Sequence, residues 1–77
     1  MPADPITKER AVAIAKEVAL AENWPWQEPV HVRSTRVGFW GPRHWEVWTN
    51  AEMRGTNVRV VIDQATGTVL ERWFLPR

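Results

Sequence analysis

At 77 residues, with no cysteine and a net charge of +1, the chain amounts to one domain that packing alone must hold together. Six tryptophans supply much of the material, since each indole offers on the order of 200 Å² of buriable surface. The near-balanced, interspersed charges exclude a strongly basic polyanion-binding surface. The missing thiols exclude thiolate metal ligation, and no apolar run approaches the roughly 20 residues that span a bilayer.

Residues 1–5 read as a lead-in with prolines at positions 2 and 5. They show no basic segment followed by an apolar stretch, so a cytoplasmic setting is expected unless a signal has been removed. Thr7 reads as a helix N-cap, Glu9 suits the first turn, and Ile6 is placed to staple against Ala11. From Lys8 to about Asn23 the residues favour a helix. At 100° per residue Ala11, Ile14, Ala15, Val18 and Ala21 share a side, with Val12 and Ala19 at its edge and Lys16 and Glu17 opposite. Leu20 falls on the polar side. Pro25 ends the helix and forces Trp24 into an extended conformation.

Beyond Pro29 the period changes from 3.6 to 2. Four strands are expected, at Val30–Val37, Trp45–Asn50, Val58–Asp63 and Val69–Phe74. Turns are expected at Gly38–Pro42, Ala51–Gly55 and Asp63–Gly67. The last has a mechanism: Asp63 accepts from amides ahead of it, Thr66 sits within the loop, and Gly67 takes positive φ. Connections this short force antiparallel pairing. The expected fold is therefore α+β: a single domain over 1–77, with one N-terminal helix packed on a four-strand antiparallel meander. Val58, Val60, Ile62, Trp45 and Val47 should face the helix. His31, Arg33, His44, Glu46, Trp48, Asn57 and Arg59 should then share the opposite face.

The run Val58-Arg59-Val60-Val61-Ile62-Asp63-Gln64-Ala65-Thr66-Gly67-Thr68-Val69-Leu70 resembles the C-terminal hairpin of PepSY-type domains. Those domains carry alternating valines, an Asp, a short turn ending Thr-Gly, and a second valine strand. Ile6-Thr7-Lys8-Glu9-Arg10-Ala11 with Ile14-Ala15 looks like their opening helix, and Trp45-Glu46-Val47 sits at their middle strand. The resemblance touches most of residues 6–72 and implies a domain that inhibits or modulates proteases by binding. It carries over no catalytic residue. Small bacterial immunity proteins offer a second likeness in their helix-plus-sheet pattern.

Chemistry in the sequence is sparse. His31 and His44 would need carboxylates such as Glu46 or Glu28 to hold a metal, and their spacing matches no zinc motif, so neither metal nor cofactor is expected. Ser34 lacks a nucleophile elbow, and a set of Ser34, His31 and Asp63 has no sequence support, so no catalytic residue is assigned and the protein is read as non-enzymatic. Arg33, Arg36, Arg43, Arg54 and Arg59 interleave with Trp40, Trp45 and Trp48, a mixture found in single-strand nucleic-acid binders. Cross-strand pairing with Glu46 and stacking of Arg on Trp account for the same residues, and a net charge of +1 favours that second account. Trp45 and Trp73 are assigned to the core, and Trp24 and Trp26 to the sheet end beneath the helix. Two readings stand for Trp40 and Trp48, interface anchors or core fillers. The candidate binding set is Trp40, Trp48, Arg33, Arg59, His44 and Glu46. Its expected partner is a protein or peptide, or a second copy meeting the sheet face or the last, edge strand; membrane and nucleic acid are not expected.

Overall fold

Thr7 opens the helix as the sequence implies: its Oγ1 accepts from the Arg10 N–H at 3.1 Å. In the computed structural model, which describes residues 5–36, 38–39, 41–53 and 55–76, helix α1 runs Lys8–Glu22. Asn23 closes it in the left-handed region at φ 64°, its N–H reaching the carbonyls of Ala19 and Leu20. Asparagine here does what glycine does at most such caps, because its short polar side chain tolerates that region. Ala11, Ala15, Val18 and Ala19 are buried, whereas Ala21 is exposed, which corrects its assignment to the packed side. The helix axis lies over a narrower stripe, centred between Ala15 and Ala19, than the sequence face implies.

Four strands follow: β1 His31–Arg36, β2 Arg43–Trp48, β3 Asn57–Asp63 and β4 Val69–Leu75. They form one antiparallel sheet in the order β1-β2-β3-β4. This is the expected α+β meander with the helix on one face. The second strand starts two residues earlier than expected and ends at Trp48, because the chain turns at Asn50, φ 52°. Val37, at the expected end of the first strand, lies outside the described residues.

The helix lies over β2 and β3. Its alanines allow close approach to Val47, Val58, Val60 and Ile62, all at most 1% exposed. Large side chains ring this centre: Ile6, Ile14, Trp24, Trp26, Val30, Val32, Trp45, Val69 and Phe74. Ile6 packs against the core cluster that includes Ala11, and its backbone is pinned on both sides. Its N–H donates to Gln64 O at 2.8 Å and its carbonyl accepts from Trp45 Nε1 at 3.0 Å. Trp24 stacks on Phe74, ring centroids 5.6 Å apart, and so covers the helix side of β4.

One irregularity decides which β4 side chains go where. Ile62 pairs with Val69 and Val61 with Glu71, leaving Leu70 as an extra residue on β4. A bulge of this kind inverts the inward–outward alternation downstream of it. Val69 and Phe74 therefore face the helix, while Glu71, Trp73 and Leu75 face away. Trp73, assigned to the core by sequence, is 50% exposed on the open face.

Candidate functional site

The cross-strand register gathers one polar-aromatic cluster on the face away from the helix. Arg33 pairs with Glu46 across β1–β2, Glu46 with Val61 across β2–β3, and Trp48 with both His31 and Arg59. Glu46 is the hub. Arg33 donates to its Oε1 at 2.8 Å, and the Nε of Arg59 donates to its Oε2 at 3.1 Å with Nη2 of the same fork. A carboxylate shielded to this extent, 8% exposed, is tolerable only because both of its oxygens are paired. Arg59 extends the chain of charges to Glu71 at 3.8 Å.

Trp48 lies inside this cluster. The Arg33 guanidinium sits 5.8 Å from its ring centroid and the His31 ring 5.3 Å away, tilted by 54°. The Arg–Glu46 pairing and the Arg–Trp contact expected from sequence are thus both present. Trp48 is half-buried between its neighbours.

The loop between β2 and β3 forms one wall beside it. Asn57 organises that loop with its side chain alone. Its two Nδ2 hydrogens are shared among the carbonyls of Thr49, Asn50 and Met53 at 2.8, 2.9 and 3.2 Å, and its Oδ1 accepts from the Gly55 N–H at 2.7 Å. Asn50 Nδ2 closes the ring onto Gly55 O at 3.0 Å, and buried Thr49 Oγ1 accepts from the Val58 N–H. The loop is fastened from outside too, through Asn50 N–H to Gln27 O and Ala51 N–H to Pro29 O. The result holds Met53 in the open, 67% exposed, beside Trp73. Trp48, Met53, Trp73 and Leu75, with the Arg33–Glu46–Arg59 triple, line a shallow groove of about 440 Å³.

Of the residues singled out by sequence, Arg33, Arg59, Glu46 and Trp48 come together here. His44 shares their face but pairs with Thr35, four residues along β1 from His31; at about 3.3 Å per residue that is roughly 13 Å, beyond a shared ligand sphere. Trp40 lies outside the described residues. Asp63, Thr66 and Gly67 build the β3–β4 turn as expected: Asp63 Oδ1 accepts from Ala65 N–H at 2.8 Å, Thr66 Oγ1 accepts from Thr68 N–H at 3.2 Å, and Gly67 has φ 78°. Ser34 and His31 point to opposite faces of β1, and Ser34 Oγ instead accepts from Gln64 Nε2 at 2.6 Å. Among the described residues no group of three or more His, Asp or Glu is arranged to hold a metal ion. No helix among them is long and apolar enough to cross a membrane.

Met53, Trp73 and Leu75 were missed by sequence reasoning. The available signal for Met53 was the pair Asn50 and Asn57 bracketing Gly55. For Trp73 and Leu75 it was hidden by the bulge at Leu70. A second groove lies on the helix side, lined by Lys16, Leu20, Trp24 and Trp26, with Leu20 81% exposed and the Lys16 ammonium 5.9 Å from the Trp26 ring. Comparison with protein-family models, curated proteins and solved structures finds no match to this chain.

Proposed function

We propose that this chain is a non-enzymatic binding domain of PepSY type that engages a protein segment or peptide on the open face of its sheet. The observation that carries the reading is that Met53 and Trp73, two large apolar side chains left in the open, line one groove with a fully paired ionic cluster. An apolar centre with a polar rim is the anatomy of a recognition surface. The loop that carries Met53 is tied down by Asn57, so little ordering entropy remains to be lost when a partner arrives. The PepSY resemblance of the Val58–Leu70 hairpin supports a segment of a protease as the partner class. Arg33 and Arg59 on the rim give such a segment a place for a carboxylate, with Glu46 as the group it competes against.

The test is selection of random displayed peptides on the wild-type chain, followed by titration of the winners into a Trp73→Ala, Met53→Ala double variant. Selected peptides are expected to bind the variant at least about tenfold more weakly, the loss of roughly 1.4 kcal/mol that one truncated anchor gives. Peptides that bind both proteins equally would refute the open face as the site.

A further inference from the structure

We propose that two copies of this chain join through β4, antiparallel about a two-fold axis at Trp73, to form one continuous eight-stranded sheet. The sheet has two outer edges, β1 and β4. β1 carries His31, Arg33 and Arg36 and no acid, so a second β1 would meet it with like charge. β4 is guarded only by Glu71, Arg72 and a bulge. Val69–Leu75 holds no Lys and no Pro, and its bulge sits at the far end, leaving Glu71–Leu75 regular.

Backbone direction fixes which groups are on offer. The Thr49 N–H donates to Val58 O, so Val58 turns toward β2. Residues of an antiparallel strand alternate, so Arg59 turns toward β4 and its partner Trp73 turns back toward β3. Arg72 and Phe74 therefore present their N–H and C=O groups outward, with no neighbouring strand among the described residues to take them.

Charge then selects the register. A two-fold axis perpendicular to the sheet keeps both helices on one side and sets one residue opposite itself. With the axis at Arg72 two guanidinium groups would oppose each other, and at Glu71 two carboxylates would. With the axis at Phe74, Arg72 would meet Pro76, which has no N–H to give. Only at Trp73 do Arg72 and Phe74 face each other twice, pairing all the outward groups. There each Glu71 lies opposite a Leu75 and Arg72 lies beside the Trp24–Phe74 stack of the second copy. The two Trp73 rings become neighbours on the open face, and the two grooves run into one apolar strip. This assembly does not depend on what the groove binds.

Sedimentation equilibrium of the whole chain tests it, since the mass should rise from 8.9 kDa toward twice that value between micromolar and millimolar concentration. Arg72→Pro removes an outward N–H at an edge position, where proline is tolerated. It should stay at 8.9 kDa throughout with an unchanged circular-dichroism spectrum. Because the chain has no cysteine, single-cysteine reporters fix the register independently, even if Arg72→Pro fails to fold. Trp73→Cys should cross-link on oxidation, its Cα atoms being about 4.5 Å apart across the axis. Glu71→Cys should not, since its two copies would lie roughly 13 Å apart. A wild-type mass of 8.9 kDa at millimolar concentration overturns the proposal. So does a dimer that persists in folded Arg72→Pro, or cross-linking of Glu71→Cys ahead of Trp73→Cys.

Discussion

Glu46 and Gly67 show how single residues set the chemistry and the geometry of this sheet. Glu46 holds two arginines whose own side chains reach solvent, Arg33 at 62% and Arg59 at 37% exposure. Removing the carboxylate lets both guanidinium groups rehydrate, which limits the cost. Glu46→Ala should therefore destabilise by about 1–2 kcal/mol in urea melts, between the value of a charged hydrogen bond and that of a surface pair. A loss of four or more would mean the arginines are trapped without water. Gly67 at φ 78° ends the β3–β4 turn, where a Cβ would meet Ile6 and Ile14 at 3.5 and 3.6 Å, an ordinary contact. Backbone strain alone then sets the penalty, and Gly67→Ala should cost on the order of 1 kcal/mol. An unchanged unfolding midpoint would contradict that. The Asp-x-x-Thr-Gly spacing made this turn legible from sequence. Trp73 was not legible, since the single extra residue at Leu70 moves its ring from one face of the sheet to the other. Nothing in Val69-Leu70-Glu71-Arg72 announces a bulge.

At the level of elements, α1 was readable from its caps and helix-forming residues, and β3 from its run of β-branched residues ended by a turn. Thr7 and Asn23 cap the helix, and Asn57–Asp63 alternates into the core. The β2–β3 connection was readable only as a turn, because its order comes from one side chain reaching back across two to eight residues. Asn57 contacts three carbonyls and one amide, of which the Asn50 carbonyl also accepts from the Met53 N–H. Asn57→Ala should cost about 2–3 kcal/mol, the range for orphaned part-buried backbone groups. It should also raise hydrogen exchange at Gly55, whose N–H loses its acceptor. Full protection at Gly55 in that variant would show that the loop is held by something else. The same variant should weaken peptide binding, since Met53 would no longer be fixed in place.

Taken whole, the molecule divides its five described tryptophans between two jobs. Trp24, Trp26 and Trp45 ring the core on the helix side, while Trp48 and Trp73 lie on the uncovered side. A helix lying over β2 and β3 leaves the opposite face to solvent or to a partner; that open face followed from the sequence once a single helix had been recognised, but the place of Trp73 on it did not. No metal takes part in this account, so a chelator should leave the melting temperature unchanged. A drop on chelation would require ligands the account does not contain. The open face has a rival on the other side of the sheet, the helix-side groove of Leu20, Trp24 and Trp26. Indole N–H resonances separate the two, because each groove has its own tryptophans. Titrating a selected peptide into the ¹⁵N-labelled chain should move the indole signals of Trp48 and Trp73 and the amides of Met53 and Arg59. Shifts confined to Leu20, Trp24 and Trp26, with Trp48 and Trp73 unmoved, would contradict the open face as the binding surface.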